Sequence, residues 1–136
     1  MLPEWAINCI DYWKQILMLG EWTLRTKVVP RPDNDEQARA CVAVHTDTLI
    51  ADIEIRDDLS QDYDHEWELT IIHELLHVRL GRITDFVQRD LIPELASAAQ
   101  SLAYKSLTRE VEPTVELLAA VLLKLRGNYD GKRIEK

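Results

Sequence analysis

His73-Glu74-Leu75-Leu76-His77 is the stretch on which the reading of this chain turns. Its pattern is H-E-x-x-H. On a helix, residues four apart share a face, so the two imidazoles lie side by side about one turn apart. Two neutral imidazoles converging on one point suit Zn²⁺, which takes nitrogen ligands at roughly 2.0–2.1 Å. Glu74 lies beside the pair, within reach of a proton on a metal-bound water. The bland alternative is a surface helix that carries two histidines by chance. Against it, Ile71, Leu75 and Val78 cover one side of the helix and Leu69, Leu76 and Leu80 another. Only Glu68, Arg79 and Ile72 remain for an outward face. Histidines and a glutamate inside so apolar a helix need partners, because unpaired buried polar groups are costly.

The flanking sequence builds a frame around this helix. Asp57 to Asp64 is a polar loop leading into it. Asp64 can cap it, and Glu66 and Glu68 favour its first turn. The helix then spans 65–80, with Gly81 as its stop. Upstream, two strands are expected at 39–45 and 49–56. The first is apolar on both faces, which suits a central strand. The second alternates, with Leu49, Ala51, Ile53 and Ile55 against Asp52, Glu54 and Arg56. Thr46, Asp47 and Thr48 join them as a hairpin, with His45 solvated at its end. Residues 22–29 also alternate and read as a strand, broken by Pro30 and Pro32.

Residues 3–19 read as a helix with Ala6, Cys9, Ile10, Trp13, Ile16 and Leu17 on its apolar stripe and Gly20 at its end. Residues 82–92 have no clear pattern. Pro93 and Glu94 open a further helix, and a last one spans 110–126, with Arg126 and Gly127 at its C-terminal end. The tail, 128–136, is polar and expected to fray. The expected fold is α+β in one domain spanning 1–136: an N-terminal helix, a small three-stranded and mostly antiparallel sheet, the H-E-x-x-H helix, then two or more C-terminal helices.

Composition narrows the function classes. The 136 residues are 46% apolar and 29% charged, ordinary for a globular chain. A net charge of −8 argues against general nucleic-acid binding, which needs clustered Lys and Arg. Cys9 and Cys41 are too few and too far apart for a zinc ribbon, and their usage fits a reducing cytosol. No stretch reads as a membrane span or a signal peptide, so a cytoplasmic protein without membrane contact is expected.

Two histidines leave a tetrahedral zinc short of protein ligands. The longer pattern with a third histidine would need Gly at 80 and His at 83, where this chain has Leu80 and Ile83. A carboxylate from another helix is the remaining choice, and the last helix offers Glu110, Glu112 and Glu116. Glu112 and Glu116 share a face, continued by Ala119, Ala120 and Leu123, and small alanines allow close helix approach. With Val115, Leu118, Leu122 and Leu125 opposite, the helix is expected to be buried on both sides. Glu112 is assigned as third ligand, with Glu110 as the alternative. Glu116 is assigned to accept a hydrogen bond from a ligand histidine, His73 first.

His73-Glu74-Leu75-Leu76-His77 followed by Glu112-Pro113-Thr114-Val115-Glu116 resembles the gluzincin arrangement, a ligand glutamate with an acidic residue one turn later. The short length resembles its compact members, the minigluzincin and ImmA/IrrE-like zinc peptidases of phages and mobile elements. The resemblance covers about residues 22–126. It implies that Glu74 is the general base, that a sheet edge beside the site holds extended substrate, and that the reaction is zinc-dependent peptide hydrolysis. The interval from His77 to Glu112 is longer than in the large gluzincins, and no helix-turn-helix region is visible. Many such sites add a Tyr or His that stabilises the oxyanion; Tyr63, Tyr104 and His65 are the candidates here. Protein or peptide substrates are the expected partners. The competing reading is a catalytically silent zincin-like scaffold that binds a regulatory protein.

Overall fold

The computed structural model describes residues 1–127. The expected frayed tail, 128–136, lies outside them. The architecture is α+β. An N-terminal helix, α1 (Glu4–Ile16), is followed by strands β1 (Thr23–Val29), β2 (Ala40–His45) and β3 (Ile50–Arg56). The motif helix α2 (His65–Arg79) comes next, then a short helix α3 (Gly81–Asp85), a π turn at Phe86–Leu91, a 3₁₀ turn at Ile92–Glu94, and the long helix α4 (Ser97–Arg126). Among the described residues no helix is long and apolar enough to cross a membrane.

α1 buries Trp5, Ala6, Cys9, Ile10 and Trp13, while Ile16 is exposed. It stops before the expected Gly20. Met18 takes the left-handed backbone conformation, and the Leu19 amide donates back to the Lys14 carbonyl at 2.9 Å. This closing turn satisfies helix-end carbonyls as a glycine would, with a methionine bearing the strain.

The sheet corrects two expectations. Its order is β1-β3-β2, and it is mixed rather than mostly antiparallel. β2 and β3 form the expected antiparallel hairpin, Ala40 opposite Ile55 through His45 opposite Ile50. β1 adds in parallel to the other edge of β3, Thr23 opposite Ile50 through Val29 opposite Arg56. The central strand is therefore β3 and not β2. Apolar patterning reports which faces are covered, whereas strand order depends on backbone edges, on which side chains are silent. β3 does alternate as expected: Ala51, Ile53 and Ile55 are buried, and the charged residues between them face away from the helices.

α2 touches β2, α1 and α4. Asp64 caps it, accepting from the Glu66 amide at 2.8 Å and the Trp67 amide at 3.3 Å. Gly81 does not stop the helical path; it starts α3. A Cβ there would sit 2.7 Å from Val44 Cγ1, so the glycine lets the chain pass beneath β2. Glu68 and Ile72, expected on an outward face, are wholly buried. α1 and α4 pack on sides of α2 that local pattern cannot assign. Glu68 accepts from Trp13 Nε1 at 2.7 Å and Tyr63 Oη at 2.6 Å, and it pairs with Arg126 near the end of α4.

The two expected C-terminal helices are one. α4 starts at Ser97 instead of Pro93 and runs through Pro113 without interruption. Pro113 forgoes one helix hydrogen bond, a local cost that 30 helical residues absorb. α4 is not buried on both sides either. Val115, Ala119 and Leu123 form one buried stripe, while Leu117, Leu118, Val121 and Leu125 are exposed.

The buried Glu68–Arg126 pair fastens the C-terminal end of α4 to α2. Arg126→Met should destabilise the metal-free protein by about 3–5 kcal/mol, because it leaves Glu68 charged and buried without its cation. Urea unfolding checks this, and adding Glu68→Met should recover part of the loss.

Candidate metal centre

His73 and His77 fall on one side of α2, with their Nε2 atoms 3.2 Å apart. Helical spacing alone brings them this close. The third group comes from α4, which the Val115, Ala119 and Leu123 stripe seats on α2. Glu112 Oε2 lies 3.2 Å from His73 Nε2, and Glu112 Oε1 lies 3.1 Å from His77 Nε2. The three side chains converge, with both histidines partly buried and Glu112 half exposed at its outer side. Glu110 takes no part; it pairs with Arg109.

The donor set fits a tetrahedral cation. Ligands at roughly 2.0–2.2 Å from zinc in that geometry lie roughly 3.3 Å from one another. The separations of 3.1–3.2 Å match this spacing. Burial pushes the His77 imidazole below its ordinary range, against the opposing pull of the Glu112 carboxylate. A neutral ring with a free lone pair is what a metal requires.

Glu74 points elsewhere, as a residue about 100° round the helix must. It is buried, and no described side chain hydrogen-bonds to it. Burial and the nearby Glu112 charge push its carboxyl up to about 8. It lines both cavities that meet at the centre. One, of about 520 Å³, is bounded by Ala38, Arg39, Thr70, His73, Glu112 and Glu116 among others. The second, of about 430 Å³, follows β2 from Ala40 to Val44 past His73, His77 and Glu112. Among the described residues β2 pairs with β3 on one side only, so a free edge of the sheet borders the candidate centre.

The remaining expected residues lie apart from the three ligands. Glu116 lines the larger cavity, exposed, and makes no hydrogen bond to either histidine among the described residues. Tyr63 donates to Glu68, and burial pushes its hydroxyl up to about 12. Tyr104 donates to the Gln88 carbonyl at 3.2 Å. His65 is exposed beside Glu66 at the start of α2. None of Tyr63, Tyr104 and His65 lines either cavity. Sequence reasoning missed Arg39 at the cleft and the buried pairing of Glu68 with Arg126. Arg39 had a readable signal, a cation opening the strand that leads past the motif.

Without metal, Glu74 makes stability depend on pH. Its folded-state value lies above the ordinary carboxylate value of 4.5, so between about 4.5 and 8 the folded protein holds a proton that the unfolded chain has lost. Metal-free wild type should therefore lose stability as pH rises through that window. Glu74→Gln should be the more stable protein at pH 8 and should show a flatter profile, as urea midpoints across this range will reveal. Comparison with protein-family models, with curated proteins and with solved structures finds no match for this chain.

Proposed function

We propose that this protein is a zinc-dependent hydrolase of peptide bonds, with His73, His77 and Glu112 as its metal ligands and Glu74 as its general base. The observation that carries the reading is the convergence of three donors at 3.1–3.2 Å beside a buried carboxylate and a free sheet edge. Zn²⁺, when bound, supplies a Lewis acid that polarises a carbonyl and lowers the pKa of water from 15.7 toward about 7. Glu74 accepts the proton of the attacking water on its carboxylate and returns it to the leaving amine. Burial and the Glu112 charge favour its protonated form in the metal-free protein, and a cation at the three donors would favour the carboxylate that the first transfer needs. The unpaired edge of β2 offers backbone donors and acceptors to a peptide in extended form. The free thiols of Cys9 and Cys41 accord with a reducing compartment.

A second reading has one observation behind it. The candidate oxyanion donors Tyr63, Tyr104 and His65 lie outside the cleft. A zincin-like scaffold that binds zinc and a regulatory protein without turnover would need none of them.

Purified protein should take up one zinc per chain, measured by metal analysis and competition titration. Glu112→Ala should bind zinc far more weakly than wild type. Glu74→Gln should retain zinc and lose about 10²–10⁴-fold of its activity on a mixture of unfolded proteins. Zinc binding by wild type without any cleavage would favour the scaffold. An active Glu74→Gln variant would remove this residue as the base.

A further inference from the structure

We infer that Arg39 is a substrate-anchoring residue that takes a carboxylate on the peptide being cut, so that the cleft selects acidic peptides. This rests on the hydrolase reading above and adds its substrate class. Two cavities meet at His73, Glu74 and Glu112, and Arg39 is the one Lys or Arg among the residues that line them. The remaining charged groups there are Glu74, Glu112 and Glu116, so among the described residues Arg39 is the wall's one cationic side chain for an anion away from the three donors.

The guanidinium is held in place and still available. It lies over the Trp67 ring, 5.5 Å from the centroid. Stacking of this kind orients the planar group and leaves its edge donors free. No ion pair within 4 Å engages it among the described residues; Arg79 and Arg82 likewise have none, while Arg25, Arg31, Arg56, Arg89, Arg109 and Arg126 do, and of the three without one only Arg39 lines the cavities at the candidate centre. Asp58 feels the Arg39 charge at longer range but gives its carboxylate to Arg56 at 2.7 Å. An exposed cation with support from Trp67 and no close ion pair, beside a site for peptides, suits a bidentate carboxylate contact.

Position also argues for it. Arg39 immediately precedes β2, whose free edge borders the candidate centre. A peptide paired along that edge advances about 3.3 Å per residue. The strand from Ala40 to Val44 lines the second cavity, so Arg39 stands at one end of the path, within a few residues of the bond beside Glu74. The carboxylate can be an Asp or Glu side chain or the C-terminal group of a short peptide; both present the same two oxygens.

The test uses the zinc-loaded full chain and a library of unstructured peptides. One arm places Asp or Glu against Asn or Gln at each position. The other compares free with amidated C-termini. The expected result is at least about tenfold higher kcat/KM for one carboxylate source. That ratio should fall to about one in Arg39→Gln, be partly kept in Arg39→Lys, and invert toward basic peptides in Arg39→Glu. Cleavage without acidic preference, or a preference that survives Arg39→Gln, would overturn the anchor and leave the hydrolase standing. No cleavage of any peptide by wild type would overturn both. Circular dichroism of each variant separates a lost contact from a lost fold, and Arg39→Lys keeps the test valid should Arg39→Gln not fold.

Discussion

The candidate centre depends on how α4 is held against α2. His73 and His77 need only the helix that carries them, but Glu112 comes from 35 residues further on and must arrive within 3.2 Å of both rings. Two features fix its approach. The buried stripe of Val115, Ala119 and Leu123 seats the helix, with alanine at the level of the cleft. Beyond it, Arg126 pairs with Glu68 near the start of α2, so the helices run antiparallel and are fastened beyond the site. A charge pair in so dry a place is a poor source of net stability, but it is demanding about geometry. It fixes register and rotation, which an apolar stripe alone leaves looser.

Electrostatics then separates the roles of two glutamates. Glu112 is half exposed and lies between two rings, so its negative charge is hydrated on one side and faced by imidazoles on the other. Glu74 has neither relief. It is buried, without a hydrogen-bonding side chain, and is raised further by the charge of Glu112. On the proposed function, one carboxylate would hold a cation and the other would exchange a proton, although both carry the same functional group. A cation at the three donors would lower the cost of ionising Glu74, which couples the base to the metal.

Much of this could be read along the chain, for identifiable reasons. The motif helix, its Asp64 cap, the hairpin of β2 and β3, and the meeting of His73, His77 and Glu112 follow from spacing within segments and from the scarcity of alternative ligands. What could not be read depends on distant pairings. Glu68 looked like an outward residue because its partners Trp13 and Arg126 lie 55 and 58 positions away. β1 joins β3 by backbone edges that carry no side-chain signal, which is why a parallel pairing went unforeseen. The helix expected to open at Pro93 and the helix expected over 110–126 are one, and α4 continues through Pro113, since one missing hydrogen bond is a small loss in a helix already seated on α2. Glu116, expected to accept a hydrogen bond from His73, lines the cleft without making that bond among the described residues.

On the proposed function, His73, His77 and Glu112 form a zinc site with a place left open for water. X-ray absorption at the zinc edge of the loaded protein tests it most directly. The account predicts a four-coordinate ion with two imidazole nitrogens at about 2.0–2.1 Å and two oxygens at about 2.0–2.2 Å, one of which exchanges with small anions. The imidazole signal should halve in His77→Ala. A sulfur neighbour, a six-coordinate oxygen shell, or zinc that leaves no imidazole signature would contradict it.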